Sequence, residues 1–444
     1  MEIKLTIIMP SLNVADYIEE CMDSALNQTL KNIEILCIDA GSIDGTWEIL
    51  GEYEKKLSAS DKIVKRLHSD VKSYGYQVNM GIRLARGKYI AVLETDDYAE
   101  ECMYEKLACL AEKYDLDYVK ADYDRFFLLN NGERYYEKVA LWGAQPGNYN
   151  IVMNPSAEDY LYANDYNIWK GIYKKDFLRQ NQIWLNETPG AAFQDIGFAQ
   201  QVLACAQKAY YTDLSLYRYR MDREGSSINS YHGMRYSRQE FSRLLSESGI
   251  YSKLVCRQGL YRHMAQSFRG EYRKLLALLD YDADSESLKA DYEWFRNILM
   301  KAVERSEFVL ESLPEGFRKD LVLLLEDCKN YAEKMCRQEA ANRAREELLL
   351  KKAEKKEVVV FGTGCLGNIV IKTFLQQGIK PVALFDNNAE LWGKELYGIP
   401  IKCPENVGRD ICVVIANKQN GEEMKMQLTD MGVDSGQIVL FQDK

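Results

Sequence analysis

The sequence predicts an α/β protein in three parts. A mostly parallel sheet covered by helices leads, a helical stretch follows, and a small α/β module ends the chain. Three observations carry this. From Leu5 to Lys113, apolar strand runs alternate with amphipathic helical runs, the signature of a parallel sheet covered on both faces. From about Met234 to Lys356 the pattern is helical throughout, with many i,i+4 charge pairs and no glycine-rich turns. At Val358 the alternation of strand, glycine turn and helix resumes. A chain of 444 residues is too long for one ordinary core, and we set the parts at 1–232, 233–356 and 357–444.

The elements follow in order. Leu5–Met9 is the first strand, ended by Pro10-Ser11-Leu12-Asn13, and Val14–Leu26 carries Ile18, Cys21, Met22, Ala25 and Leu26 at helical spacing. Asn32–Ile38 is a second buried strand ending in IDAGSIDG, and Thr46–Leu57 is a helix with a Trp47, Leu50, Tyr53, Leu57 stripe. Ile63–Leu67 is a third strand, Ser73–Arg86 a helix stopped by Gly87, and Tyr89–Leu93 a strand that breaks into Glu94, Thr95, Asp96 and Asp97. A helix over Met103–Lys113 and a strand over Tyr118–Leu129 come next, with a turn at Asn130-Asn131-Gly132. Gly143–Asn154 reads as a loop over the site, Ile196–Ala206 as an apolar helix, Ala209–Arg220 as a strand and Met221–Ser230 as a polar, mobile loop. Phe317–Lys356 reads as one long connector helix. In the last part, Val358–Gly367, Val382–Asn388, Ile411–Asn417 and Ile438–Phe441 give about four strands.

Composition narrows the class. Hydrophobic content of 47% and charged content of 28% are those of a soluble globular protein. A net charge of −10 argues against nucleic acid as a partner and offers no basic face to anionic lipid. The 30 tyrosines suit stacking on sugars or bases, and equally suit half-buried surfaces. Eleven cysteines stand singly, without a C-x-x-C pair, as in reduced intracellular proteins. The three histidines are too far apart for the usual metal spacing. Neither a signal peptide nor an apolar run of the ~18 residues that span a membrane is present, so the expected location is cytoplasmic.

Chemistry gathers at the strand ends. Glu94 and Asp96 are two residues apart and project to the same side of extended chain. Converging carboxylates repel each other unless a cation lies between them, and hard oxygen ligands favour Mg²⁺ or Mn²⁺. A solvated acidic turn explains this stretch equally well in isolation. Asn13, then Asp39 with Asp44, then Glu94 with Asp96 end different strands of one parallel sheet, however, and so share the edge where such sheets bind ligands. Packing alone does not require that convergence.

Three ordered motifs carry a resemblance: TIIMPSLNVADYIEECMDSALNQTLKNIEILCIDAGSIDG, then GIRLARGKYIAVLETDD, then a distal Gln194-Asp195. From Lys4 to about Ser230 the chain resembles the family 2 inverting nucleotide-sugar glycosyltransferases, which have the Rossmann-like GT-A fold. The resemblance implies that Pro10 and Asn13 line the nucleotide pocket, that Asp39 hydrogen-bonds the donor base with Asp44 in the same loop, and that Lys72 lies near the donor. It places Glu94, Thr95 and Asp96 at the D-x-D motif. Asp96 then binds the divalent metal bridging the diphosphate, and Glu94 contacts ribose or metal-bound water. Asp195 falls at the position of the catalytic base. Glu187 and Thr188 fall in a candidate acceptor loop, and Trp169 and Trp184 either stack on a sugar or belong to the core. Arg220 and Arg223 either touch the diphosphate or are solvated. Three departures stand out: Ala40 in place of an acid, Glu94 as the first acid of D-x-D, and Gln194 where Glu is common.

At the C-terminus, Gly362-x-Gly364-x-x-Gly367 follows a strand and opens a helix, and Asp386 ends the next strand where a ribose-binding acid is expected. This resembles the small Rossmann-like modules appended to bacterial surface-polysaccharide transferases. Its glycines serve either a bound nucleotide or the tight turn of a packing or oligomerisation domain.

The expected function is metal-dependent transfer of a sugar, with inversion, from a nucleotide donor such as a UDP-sugar to a glycan or lipid-linked glycan. Mn²⁺ or Mg²⁺ is the expected cofactor, and a lipid-linked acceptor would bring the protein to the inner face of the membrane. Self-association through the helical or C-terminal region is a further expectation. One rival is an NAD-dependent nucleotide-sugar enzyme centred on the C-terminal glycines, which lacks a Tyr-x-x-x-Lys after them. The other is a non-catalytic sugar-nucleotide scaffold, favoured by Ala40 and Glu94.

Overall fold

The computed structural model describes residues 2–56, 62–128, 134–221, 232–246, 252, 257–354, 356–417 and 420–441. The turn at Asn130-Asn131-Gly132, Arg223 and nearly all of the Met221–Ser230 loop lie outside the described residues. The chain divides into two compact units. One comprises Met1–Arg125 with Lys138–Glu333, the other Phe126–Glu137 with Lys334–Lys444.

The first unit is built on a mixed sheet. Its parallel half contains β1 (Leu5–Ser11), β2 (Ile33–Asp39), β3 (Lys62–His68) and β4 (Tyr89–Val92), in the order β3-β2-β1-β4. Strands β1 and β2 are buried along their whole length, which explains their unbroken apolar runs. Burying each large aliphatic side chain of this kind contributes about 1.5–3 kcal/mol. Parallel register sets Ser11 beside Asp39, and Asp39 beside His68. The strand ends therefore line up at one edge, as the alternating pattern predicts. Helices α1 (Ala15–Leu26), α2 (Thr46–Lys56) and α3 (Tyr74–Leu84) connect these strands.

Beyond β4 the sheet changes direction. β5 (Tyr98–Ala99) and helix α4 (Met103–Tyr114) are followed by β6 (Tyr118–Leu128), β7 (Arg134–Val139) and β8 (Val152–Met153). The short helix α5 (Asp159–Asn164) leads to β9 (Gly171–Lys174) and helix α6 (Lys175–Gln180). Helix α7 (Gln194–Cys205) and β10 (Ala209–Arg220) complete this region. β9 runs antiparallel to both β4 and β6, and the sheet continues β9-β6-β10-β5. The Gly143–Asn154 segment, expected as loop, holds a 3-10 turn at Pro146–Asn148 and the two-residue β8. Elements this short leave no periodicity to read.

Helix α8 (Gly233–Ser246) and the helices Arg257–Leu278, Glu286–Glu304 and Glu315–Glu326 belong to the same compact unit as this sheet. The single long helix expected over Phe317–Lys356 is two helices, Glu315–Glu326 and Cys328–Ala353. Asp327 breaks it, with φ −144° and ψ 85°, because its Oδ1 accepts the N–H of Asn330 at 3.0 Å and starts the second helix.

The second unit contains a six-stranded sheet in the order β13-β14-β12-β11-β15-β16. Its strands are β11 (Glu357–Phe361), β12 (Ala383–Phe385), β13 (Glu395–Leu396), β14 (Ile399–Lys402), β15 (Ile411–Ile415) and β16 (Ile438–Leu440). Pairing is parallel except at β13. The strands beyond the expected four are a hairpin turned by Tyr397 (φ 57°) and Gly398 (φ 64°), both left-handed as a tight two-residue turn requires.

Candidate active site

The first two strand ends are knitted together by their own loops. Asn13 adopts a left-handed backbone, φ 52°. Its Oδ1 accepts the N–H of Ile43 at 2.9 Å, and its own N–H donates to Ser42 Oγ at 2.8 Å. Asp39 is buried, and its Oδ2 accepts the N–H groups of Gly41 and Ser42, each at 2.9 Å, while the Ser42 hydroxyl donates to Oδ1. Its carboxylate is thus occupied by its own loop. Asp44 starts two helices at once: Oδ2 accepts from Ala15 N at 2.9 Å, and Oδ1 accepts from Thr46 N at 3.1 Å and Thr46 Oγ1 at 2.7 Å. Burial opposes ionisation of Asp44, yet the Thr46 hydroxyl and these amides hold its carboxyl below the usual value. Ala40, where an acid is common, is buried.

At the end of β4 the four polar residues divide by direction. Thr95 is buried and donates to the carbonyl of Pro10 at 3.0 Å, tying β4 to β1. Asp97 also points inward. Tyr217 Oη donates to its Oδ2, and the Arg220 N–H to its Oδ1, each at 2.8 Å. Burial, with the Asp96 charge behind it, pushes the Asp97 carboxyl well above its ordinary value. Glu94 and Asp96 alternate with these and remain partly exposed on the other side. Tyr74 Oη donates to Glu94 Oε1 at 2.5 Å. Arg220 does not present a free guanidinium to this edge. It donates to Glu20 Oε2 at 2.8 Å and to the Asp96 carbonyl at 2.9 Å, and lies over the Tyr17 ring.

Helix α3 links this edge to the segment that carries Asp195. Ser73 caps the helix through its side chain, accepting from Tyr76 N at 3.2 Å. The backbone on either side clasps Gly190, with Gly190 N donating to Lys72 O and Tyr74 N donating to Gly190 O, each at 2.9 Å. The Lys72 side chain is exposed. One turn along, Asn79 is buried and holds Leu185 by two hydrogen bonds and Glu187 Oε1 by a third, all at 2.9 Å. A side chain at Gly75 would meet Asn186 O at 1.8 Å, so glycine there permits the close approach.

Asp195 lies in the first turn of α7, next to Phe193 with a left-handed φ of 68°. Gln194 is buried and organises the loop before it. Its Nε2 donates to Thr188 Oγ1 at 3.0 Å, to Thr188 O at 3.2 Å and to Gly190 O at 3.3 Å, and its Oε1 accepts from Ala192 N. Carbonyl oxygens need a donor, which an amide supplies and an ionised Glu does not. Asp195 itself is half-buried, and among the described residues its one hydrogen bond is from Ile196 N at 2.9 Å to Oδ1. Burial, seconded by the negative charge of Glu240, pushes its carboxyl up to about 6, against the pull of the Ile196 N–H and Lys120. A carboxylate so placed can take up a proton near neutral pH.

The sequence-predicted residues from Pro10 to Asp96 thus share one sheet edge, and the loop bearing Glu187 and Thr188 is clasped to it through α3. Trp169 is corrected. It is 5% exposed, stacked against Tyr217 and Tyr219 and met edge-on by Tyr123, so it is core and not a sugar platform. Tyr74, Asn79 and Glu240 carry no motif signal, and sequence reasoning gave none of them a role. Among the described residues, no group of three or more His, Cys, Asp or Glu side chains converges as a metal site. A cation shared with a diphosphate requires only one or two carboxylates, and the acids that stay partly exposed at this strand end are Glu94 and Asp96.

In the second unit, Gly362 has φ 107°, and a side chain at Gly367 would lie 1.9 Å from the Gly362 carbonyl. Both glycines therefore serve the turn itself. Asp386 Oδ2 accepts from the Thr363 N–H at 3.0 Å and its hydroxyl at 2.6 Å, closing on the glycine loop.

Residues 6–191 match the family model described as Glycosyl transferase family 2, and residues 354–439 match one described as C2185-like, N-terminal. The uncharacterized glycosyltransferase YibD of Escherichia coli K12 is 30% identical over 233 residues, 52% of this chain and 64% of that protein. The uncharacterized glycosyltransferase EpsJ of Bacillus subtilis is 29% identical over 221 residues, covering 49% and 60%. The chain thus spans less than two thirds of the length of these two relatives. Glycosyltransferase GlyG of Streptococcus pneumoniae is 28% identical over 258 residues, 55% of this chain and 80% of that protein. Among solved structures, S. aureus TarS 1-349 in complex with UDP-GlcNAc superposes with a TM-score of 0.53 at 17% identity, over 77% of this chain and 92% of that one. No helix among the described residues is long and apolar enough to cross a membrane. The motif order, the strand-end acids and these likenesses agree: the chain carries a glycosyl transferase family 2 domain on a GT-A-like fold.

Proposed function

We propose that the protein is a metal-dependent, inverting transferase that moves a sugar from a UDP-sugar to a hydroxyl of a glycan, in the assembly of a surface polysaccharide. The single observation that carries the reading is Tyr74. Its hydroxyl is bonded to Glu94, its own ionisation is suppressed by burial and by the charges of Glu94 and Asp195, and its N–H is bonded to Gly190. The acid pair of β4 and the carboxylate of α7 therefore address one site. The UDP-GlcNAc complex of the TarS neighbour supports a uridine donor.

A sugar hydroxyl is a poor nucleophile until its proton has somewhere to go. Asp195, its carboxyl at about 6, accepts that proton as the acceptor oxygen attacks the anomeric carbon. Attack opposite the leaving diphosphate inverts that carbon. A divalent cation, when bound, offsets the negative charge developing on the leaving group. Asp96 would be its ligand, with Glu94, held by Tyr74, beside it. The Asn13 and Asp39 loops shape the nucleotide end, and Asp39 reaches a base only if the Ser42 hydroxyl yields its place.

The test is UDP release from candidate UDP-sugars with Mn²⁺ or Mg²⁺ and an acceptor, wild type against Asp195→Asn and Asp96→Ala. Each variant is expected to lose roughly 10²–10⁴-fold in rate. Unchanged turnover in both would remove these roles.

A further inference from the structure

Helix α8 lies beyond residues 6–191, the span of the family match, yet it reaches the base. Glu240, in α8, is 2% exposed. Its Oε2 accepts Asn186 Nδ2 at 2.9 Å, and its Oε1 accepts Arg243 Nη2 at 2.6 Å and Arg243 Nε at 3.2 Å. The same carboxylate lies against the first turn of α7. A side chain at Gly197, two residues after Asp195, would meet Glu240 Oε1 at 1.5 Å and Arg243 Nη2 at 2.6 Å. One buried ion pair therefore touches both the acceptor-side loop and the helix that presents the base.

We propose that Glu240, oriented by Arg243, is a positioning residue for acceptor transfer, fixing Asn186 and the first turn of α7 so that Asp195 meets the acceptor hydroxyl. A buried carboxylate is a costly way to fill space. Here it does two things an apolar side chain cannot: it accepts from the Asn186 amide, and it sets a negative charge near Asp195. Gly197 fits the same purpose, because any side chain there would displace the pair. The inference rests on Asp195 being the base.

The charged and titratable groups around Asp195 come from several elements. Glu240 and Arg243 are on α8, Lys120 with its partner Asp165 lies beneath, Tyr74 comes from α3, and Tyr166 from the segment before β9. Of these, Glu240 raises the Asp195 carboxyl and Lys120 lowers it. Removing the Glu240 charge while keeping its size leaves the base more acidic and weaker.

The experiment compares wild type, Glu240→Gln and Asn186→Ala, using UDP-sugar, divalent metal and acceptor. It records kcat, KM for donor and acceptor, and the pH dependence of kcat. Glu240→Gln is expected to lower kcat roughly ten- to a hundredfold, to move the acid limb to lower pH and to leave donor KM in place. Asn186→Ala is expected to raise acceptor KM without moving the limb. A melting curve controls for folding, and should Glu240→Gln unfold, Asn186→Ala alone decides. An unmoved acid limb with unchanged kcat in Glu240→Gln, or an unchanged acceptor KM in Asn186→Ala, overturns the proposal. If Asp195→Asn retains full transfer, the base assignment fails instead, a separate outcome.

Discussion

At the scale of single residues, Asp195 joins chemistry to stability. Its carboxyl is raised to about 6 from an ordinary 3.8, so between those values the folded state binds more protons than the unfolded one. Stability contributed by the protonated form is therefore lost as pH rises through that window. Two outcomes follow. The rate of transfer should fall as pH drops through about 6, because the base is then protonated. Asp195→Asn should slow transfer roughly 10²–10⁴-fold yet stabilise the fold by about 1–2 kcal/mol at pH 8. That gain should disappear near pH 3.5, below the ordinary 3.8, where the carboxyl is neutral in the folded and unfolded states alike. Melting curves at the two pH values check the second outcome, and a pH–rate profile the first. Single residues also show where the sequence misleads. Trp169 and Tyr219 are both aromatic, but only burial distinguishes Trp169, packed in the core, from Tyr219, half-buried beside the Asp96 and Glu94 charges.

At the scale of elements, the segment Asn186–Gln194 has almost no regular structure and is held by others. Helix α3 grips it through Asn79, Gly75 and the Ser73–Gly190 bridge, while Gln194 stitches it from within. Gln194→Glu restores the residue common in the family but turns three donated hydrogen bonds into a carboxylate facing two carbonyl oxygens. It should cost about 1–3 kcal/mol of stability and raise protease sensitivity between residues 186 and 195. Gly75→Ala brings a methyl to 1.8 Å from the Asn186 carbonyl, and should lose about 1–3 kcal/mol together with transfer, read by chemical denaturation and by UDP release. Neither helix periodicity nor propensity marks these contacts. The order of the strands was legible because each is a contiguous run, but the partner of each loop is distant in sequence.

At the scale of the whole first unit, the sheet is braced by a buried charge cluster. Lys120 and Lys170 both bind Asp165, at 2.9 Å and 3.0 Å, and Tyr211 Oη donates to the same carboxylate at 2.7 Å. Burial draws the Lys120 ammonium down to about 8 even with Asp165 beside it. Asp165→Asn strands two buried ammonium groups and should cost about 3–5 kcal/mol. A depressed lysine binds fewer protons folded than unfolded, so this deficit should shrink as pH rises from 7 to 9.5, which urea titrations at both values measure. Near the donor edge the Arg220 guanidinium pairs with Glu20, while the buried Asp97 carboxyl accepts the Arg220 backbone N–H.

The sequence by itself determined the parallel half of the sheet, the helices between its strands and the edge at which Asn13, Asp39, Asp44, Glu94 and Asp96 gather. Those follow from runs of neighbouring residues, where apolar length and alternation report burial directly. It also placed Asp195 next to a helix start. Only the tertiary structure decided which acids face inward, as Asp97 does, and which remain partly exposed, as Glu94 and Asp96 do. It alone joined Tyr74 to Glu94 and Glu240 to the first turn of α7. The physical reason is that a hydroxyl or a carboxylate acquires its role from what it meets after folding, and a helical repeat carries no record of that partner.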